Sequence, residues 1–199
     1  MVKSWILLFL LYLLPFISCV QKSQQLSFKE TAKKSEFLPV TQFILGELHT
    51  IDSLPVTPLK IITKNGHTDS VWIKKEDVKA EALPFMTPII DSAHQYLYFK
   101  ESSFLDQTIN SYTFSYDPIK IPASSKELKR WDVYVDPKKQ TITRIYLLKE
   151  SREGDNIITE QLTWKSNSFF RITLIKENKN GTNNITQEDV KWNFSNETL

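Results

Sequence analysis

Few groups in this chain could carry out chemistry. Its one cysteine is Cys19, and its three histidines are His49, His67 and His94. One thiol excludes an intrachain disulfide and any zinc cage built from several cysteines. The histidines lack the short ligand spacing of a zinc motif, so a metal site would need folding to bring all three together. Asp91-Ser92-Ala93-His94 sets triad-type residues in a row. Triad members converge in space rather than follow one another, so this stretch reads as a helix N-cap and a first helical turn. The sequence has no G-x-S-x-G nucleophile elbow. Carboxylates are plentiful, and a facing pair could hydrolyse glycosides. Glu76, Asp77, Glu81 and Asp132 suit solvated or capping positions. Glu160 differs, because alternation sets it between Ile158 and Leu162 on an apolar face. Burial there would raise its pKa, which is a mark of functional carboxylates.

Aromatic residues form the other candidate group. Tyr112, Phe114, Tyr116, Trp131, Tyr146, Trp164, Phe170, Trp192 and Phe194 fall in segments with strand periodicity. Such a set builds the core of a sheet domain, or it lines a groove for a lipid or a sugar. Tyr112, Phe114, Trp164 and Trp192, with Glu160, are the candidates for a ligand groove. Basic residues are not interleaved densely enough for a nucleic-acid platform. The net charge of +2, from 25 Lys+Arg against 23 Asp+Glu, gives no global attraction to nucleic acid either. With four glycines, Gly-rich phosphate loops are scarce.

These residues must be positioned by a packed domain, which a composition of 41% hydrophobic and 24% charged residues suits. Residues 37–58 are apolar but broken by Pro39, Gly46, Pro55 and Pro58, and no element is assigned there. Residues 59–63 and 69–73 read as strands joined through Asn65-Gly66, a strong hairpin signal. Residues 74–83 read as a helix with Val78, Ala82 and Phe85 on one face and Pro84 at its end. Asp91-Ser92 would cap a second short helix through Tyr98, but Tyr96 to Phe99 also passes as a strand. From residue 108 the pattern is all strand: 112–116, 131–135, 141–149, 158–164, 169–176 and 190–194. A polar loop, ENKNGTNNITQED, precedes the last of these. No helix-length segment separates the later strands, so they should run antiparallel. The expected class is α+β, mainly β: a curved antiparallel meander sheet with one or two short helices packed on one face.

The N-terminus reads as an export signal. Lys3 precedes an apolar stretch, 5–17, that contains Pro15. This stretch is shorter than the roughly 20 residues that span a bilayer. Ordinary cleavage after Ser18 would place Phe16 where a small residue is preferred. Phe16-Ile17-Ser18-Cys19 resembles the lipobox of bacterial lipoproteins. In that family the cysteine becomes the first mature residue and carries a diacylglycerol on its sulfur. Ser18 and Ile17 match the pattern; Phe16 stands where leucine is usual, as in the looser boxes of Bacteroidota.

The resemblance implies a signal peptide at 1–18, a polar tether at 19–40 and a single sheet domain at 41–199, with Cys19 as the lipidation site. Val20-Gln21-Lys22-Ser23 lacks the acidic residues that follow the cysteine in surface-exported lipoproteins. By that resemblance the protein belongs on the outer membrane, facing the periplasm. The order of tether, hairpin, helix and aromatic meander over 59–194 also resembles small uncharacterised lipoproteins of Bacteroidota. Curved sheets of this type occur in lipocalin-like and lipoprotein-carrier domains, which bind apolar ligands.

The expected function is a non-enzymatic binding module without cofactor, anchored to the membrane by its acylated N-terminus. Its partner would be an envelope protein or an apolar ligand, not nucleic acid. The alternatives are an enzyme acting on envelope glycans or lipids, and a eukaryotic secreted glycoprotein. The latter rests on N-x-[ST] triplets beginning at Asn180, Asn184, Asn193 and Asn196.

Overall fold

A computed structural model describes residues 38–90, 98–119 and 126–194. Cys19, the leader, most of the tether, Asp91 to His94 and Asn196 lie outside the described residues. The expected domain start at 41 falls one position inside the first described element. That element, α1 (Val40–Ser53), occupies the apolar stretch to which the sequence assigned no structure. Its buried residues Val40, Ile44, Leu48 and Ile51 recur at helical spacing. Pro39 stands at its N-cap, where a missing N–H costs nothing, and Gly46 has open space around it. The punctuation that argued against a helix therefore sits at its edge and on its solvent side.

Next come β1 (Leu59–Lys64) and β2 (His67–Trp72). They are joined through Asn65 and Gly66, at φ 50° and 81°. Positive φ at both turn residues matches the twist of the flanking strands, as the Asn-Gly signal predicts. Helix α2 (Lys75–Glu81) and the single turn α3 (Leu83–Met86) follow, separated at Ala82. Pro84 lies in the first turn of α3, where its ring is tolerated. Val78, Ala82 and Phe85 are all buried, as their spacing predicts.

The remaining described strands are β3 (Phe99–Asp106), β4 (Ser111–Pro118), β5 (Lys126–Val135), β6 (Ile142–Glu153), β7 (Asn156–Lys165), β8 (Phe169–Glu177) and β9 (Asn183–Lys191). All pairings are antiparallel, in a nine-stranded sheet of order β2-β1-β9-β8-β7-β6-β5-β4-β3. The first hairpin thus joins the last strand, and β2 and β3 are the edges. Strand β9 corrects the sequence reading. It covers much of the expected loop and stops at Lys191, so Trp192 and Phe194 lie beyond it. Pairing with both β8 and β1 satisfies its backbone, and this outweighs the low strand propensity of Asn and Asp.

Trp131, Val133, Ile145, Leu147, Leu162, Trp164, Phe170 and Val190 belong to one buried cluster with Val40, Ile44, Ile51, Val78 and Phe85 of the helices. Tyr116 stacks on Trp131, with ring centroids 4.5 Å apart and planes 10° apart. Trp164 stacks on Phe170 at 5.1 Å, and the Phe85 edge meets both rings, at 5.3 and 5.4 Å. Polar links reinforce the junction. Glu47 of α1 accepts from the Asn167 amide (2.8 Å), the Ser166 hydroxyl (3.1 Å) and the Trp164 indole N–H (3.4 Å). Lys60 of β1 reaches Glu81 at 2.7 Å and Glu188 at 3.0 Å. Burial alone would lower the Lys60 pKa, but its bonds to Glu81 and Glu188 outweigh that and raise it.

The β5–β6 turn supplies a test of local electrostatics. Asp136 Oδ1 accepts from the backbone amides of Lys139 (2.9 Å) and Lys138 (2.8 Å). These bonds hold the carboxyl below its usual pKa. A depressed folded-state pKa contributes stability above the unfolded pKa, near pH 4, and loses it as pH falls through the folded value. Thermal melts between pH 6 and pH 3 should therefore fall more steeply for the natural chain than for Asp136→Ala. Parallel slopes would show that the turn carries no such linkage.

Candidate functional site

The aromatic groove candidates divide once burial is known. Trp164 is fully buried and Trp192 is 3% exposed, so both belong to the packed core. Phe114 is partly buried against that core. Tyr112 is exposed, on β4 near the β3–β4 turn. Glu160 lies on the same side as Leu162, as alternation predicts, and is half-buried. Its cross-strand neighbours are Lys149 on β6 and Leu174 on β8. Lys149 is 3% exposed, and its ammonium donates to the carbonyls of Pro84 and Thr87. Glu160 therefore faces a lysine engaged with the end of α3, an arrangement that ties helix to sheet.

His67 and His49 are exposed, on β2 and α1, and His94 is outside the described residues. Among the described residues no group of histidines, cysteines and carboxylates could hold a metal ion. A concavity of about 450 Å³ against α1 brings His49, Asp52 and Ser53 near one another. The Ser53 hydroxyl donates to the Thr50 carbonyl at 2.7 Å.

The opposite side of the sheet carries the polar set. Along one register line lie Ser115, Asp132, Tyr146, Thr163, Arg171 and Asp189. Asp132 and Asp189 are each 5% exposed, and each is neutralised by an arginine. Arg130 Nε donates to Asp132 at 3.1 Å, and Arg171 donates to both Asp189 oxygens at 2.6 and 2.9 Å. The bonds to Asp189 push the Arg171 pKa further up. Burial, followed by the Asp132 charge, pushes the Tyr146 phenol up.

The neighbouring line, nearer the β5–β6 and β7–β8 turns, runs Tyr134, Arg144, Lys165 and Phe169. The Arg144 guanidinium lies 3.9 Å over the Tyr134 ring, and the Lys165 ammonium lies 5.9 Å from the Phe169 centroid. Arg171 approaches the same ring at 5.8 Å. These residues and Thr163 line an open concavity of about 680 Å³, bounded by Ile109 of the β3–β4 turn. Among the described residues, Arg144 and Lys165 have no carboxylate within ion-pair distance. The arrangement can bind and orient; it offers cations and ring faces, not a nucleophile with a base.

The sequence reading missed this site. Its residues lie on different strands, Tyr134 ten positions before Arg144 and Phe169 four after Lys165, and they acquire meaning only when the register sets the strands side by side. Among the described residues no helix is long and apolar enough to cross a membrane. No family model, no curated protein and no solved structure matches this chain.

Proposed function

We propose that this protein is a lipid-anchored binding module of the bacterial cell envelope, held on the outer membrane facing the periplasm by acylated Cys19. The leader ending in Phe16-Ile17-Ser18-Cys19 and the polar tether after it support the anchor. Acylation is what the lipobox resemblance implies for Cys19, and two or three chains at about 0.8 kcal/mol per buried CH₂ hold a protein durably. The domain is read as a curved meander whose helices cover one face. Strand order and the shared core of helix and sheet residues support this.

One observation carries the binding reading: the concavity at Tyr134, Arg144, Lys165 and Phe169 gathers cations and aromatic rings on the side away from the helices. On the helix side the apolar space is occupied by stacked side chains, so an apolar ligand has less claim than a partner recognised on the polar side. Expression of the full chain in a Gram-negative host with labelled palmitate tests the anchor. The natural chain should take up label and sediment with membranes, and Cys19→Ala should do neither. A Cys19→Ala protein that stays membrane-bound after a high-salt wash would sink the proposal.

A further inference from the structure

The charges in the concavity specify what it binds, if the binding-module reading holds. Arg144 and Lys165 are directly opposite each other across the β6–β7 pair. Like charges in that relation repel and destabilise a sheet. Two neighbouring cations of this face are neutralised, Arg130 by Asp132 and Arg171 by Asp189. The Arg144–Lys165 pair instead has an aromatic ring at each end, Tyr134 beside Arg144 and Phe169 beside Lys165. Two adjacent cations without a carboxylate, held by ring faces, make a seat for an oxyanion.

The surroundings decide what carries that anion. Strands β5, β6, β7 and β8 are each paired on both sides, so no free backbone edge is available in the concavity. A peptide could not add there as a strand, and the main-chain bonds that make acidic peptides bind well are missing. Recognition must run through side chains: guanidinium and ammonium donors, the Thr163 hydroxyl and the faces of Tyr134 and Phe169. Those groups suit a sugar ring with an anionic substituent, whose oxyanion meets the cations and whose C–H face lies on an aromatic ring. We propose that this concavity binds an anionic saccharide, a pyranose bearing a carboxylate or a phosphate, with its oxyanion between Arg144 and Lys165.

Calorimetric titration of the full chain in detergent tests this with trigalacturonate, glucose 6-phosphate, inorganic phosphate, maltotriose and a glutamate oligopeptide. At least one anionic sugar should bind, more tightly than inorganic phosphate and more weakly as salt rises. Arg144→Ala or Lys165→Ala should each weaken it at least tenfold, and Lys165→Arg should retain most of it. The comparison of trigalacturonate with glucose 6-phosphate identifies the oxyanion. The ligand-free Lys165→Ala protein should melt at the same or a higher temperature, because repulsion is relieved. A lower melting temperature with unchanged binding would mark the pair as structural and overturn the inference. Equal binding of maltotriose, unaffected by either substitution, would overturn the anionic assignment and leave the binding-module reading standing. Preference for the glutamate peptide would overturn the saccharide assignment. Failure of every probe to bind would overturn the inference without touching the anchor, which the Cys19 experiment judges alone.

Discussion

Replacing Lys149 by alanine is expected to destabilise the protein by about 3–5 kcal/mol, the usual cost of removing one member of a buried charged network. Lys149 continues the core-facing series of Ile145 and Leu147 along β6, and it is 3% exposed. Such a position normally takes an apolar residue. The ammonium is tolerated because it donates to the Pro84 and Thr87 carbonyls. Thr87 is the C-cap of α3, and carbonyls at a helix end have no intrahelical donor. Alanine would leave both carbonyls short of a donor, Glu160 without the cation across the strand, and a cavity where the stem lay. Lys149→Met keeps the stem and isolates the polar loss, about 1–3 kcal/mol for unsatisfied buried groups. Urea denaturation of Lys149→Met, Glu160→Gln and the double variant should show coupling, with the double variant losing less than the sum. Strict additivity would show that Glu160 and Lys149 act independently. A loss below 1 kcal/mol for Lys149→Ala would show that α3 does not depend on this clamp.

Glu160 marks the boundary of what could be read in advance. Alternation placed it on the apolar side, which the structure bears out, but the reason it is tolerated lies in another strand. Nothing in residues 156–165 announces that Lys149 is opposite. Local signals with a mechanism were legible. Asn65-Gly66 specifies its hairpin because both residues accept positive φ. Val78, Ala82 and Phe85 specify a buried helix face. For α1 the signal was present in Val40, Ile44, Leu48 and Ile51, but the prolines and Gly46 obscured it. For β3 there was little to read: an edge strand exposed for most of its length has no dry face to impose alternation. Polar β9 is a strand because both neighbours pair with it, and Asp189 and Glu188 find Arg171 and Lys60 there. The cationic concavity was the least legible feature. Arg144 and Lys165 become neighbours only through the β6–β7 register, and a shift of one residue would send one of them to the opposite face.

The other large expected effect concerns the buried aromatic cluster. Trp164→Ala should cost about 3–5 kcal/mol, the range for deleting a large buried aromatic. Trp164 is fully buried and lies within 5.5 Å of the ring centroids of Phe85, Phe170 and Trp192. One residue of β7 thus joins α3, β8 and the segment after β9. Its indole N–H also points to Glu47, at 3.4 Å, which links it to α1. Phenylalanine would keep part of the ring packing and lose the N–H, so Trp164→Phe should fall between the natural chain and alanine. Trp72 is the control, at the edge of the sheet and 60% exposed. Apart from an edge contact with Phe194 at 6.1 Å it has little to lose, and Trp72→Ala should stay within about 0.5 kcal/mol. Chemical denaturation of the three variants ranks them directly. If Trp164→Ala proved no worse than Trp72→Ala, the stacked rings could not be what fixes helices to sheet. If it unfolded the chain while Trp164→Phe retained most of the stability, the core would be solid there. The polar concavity would then be the surface left for recognition.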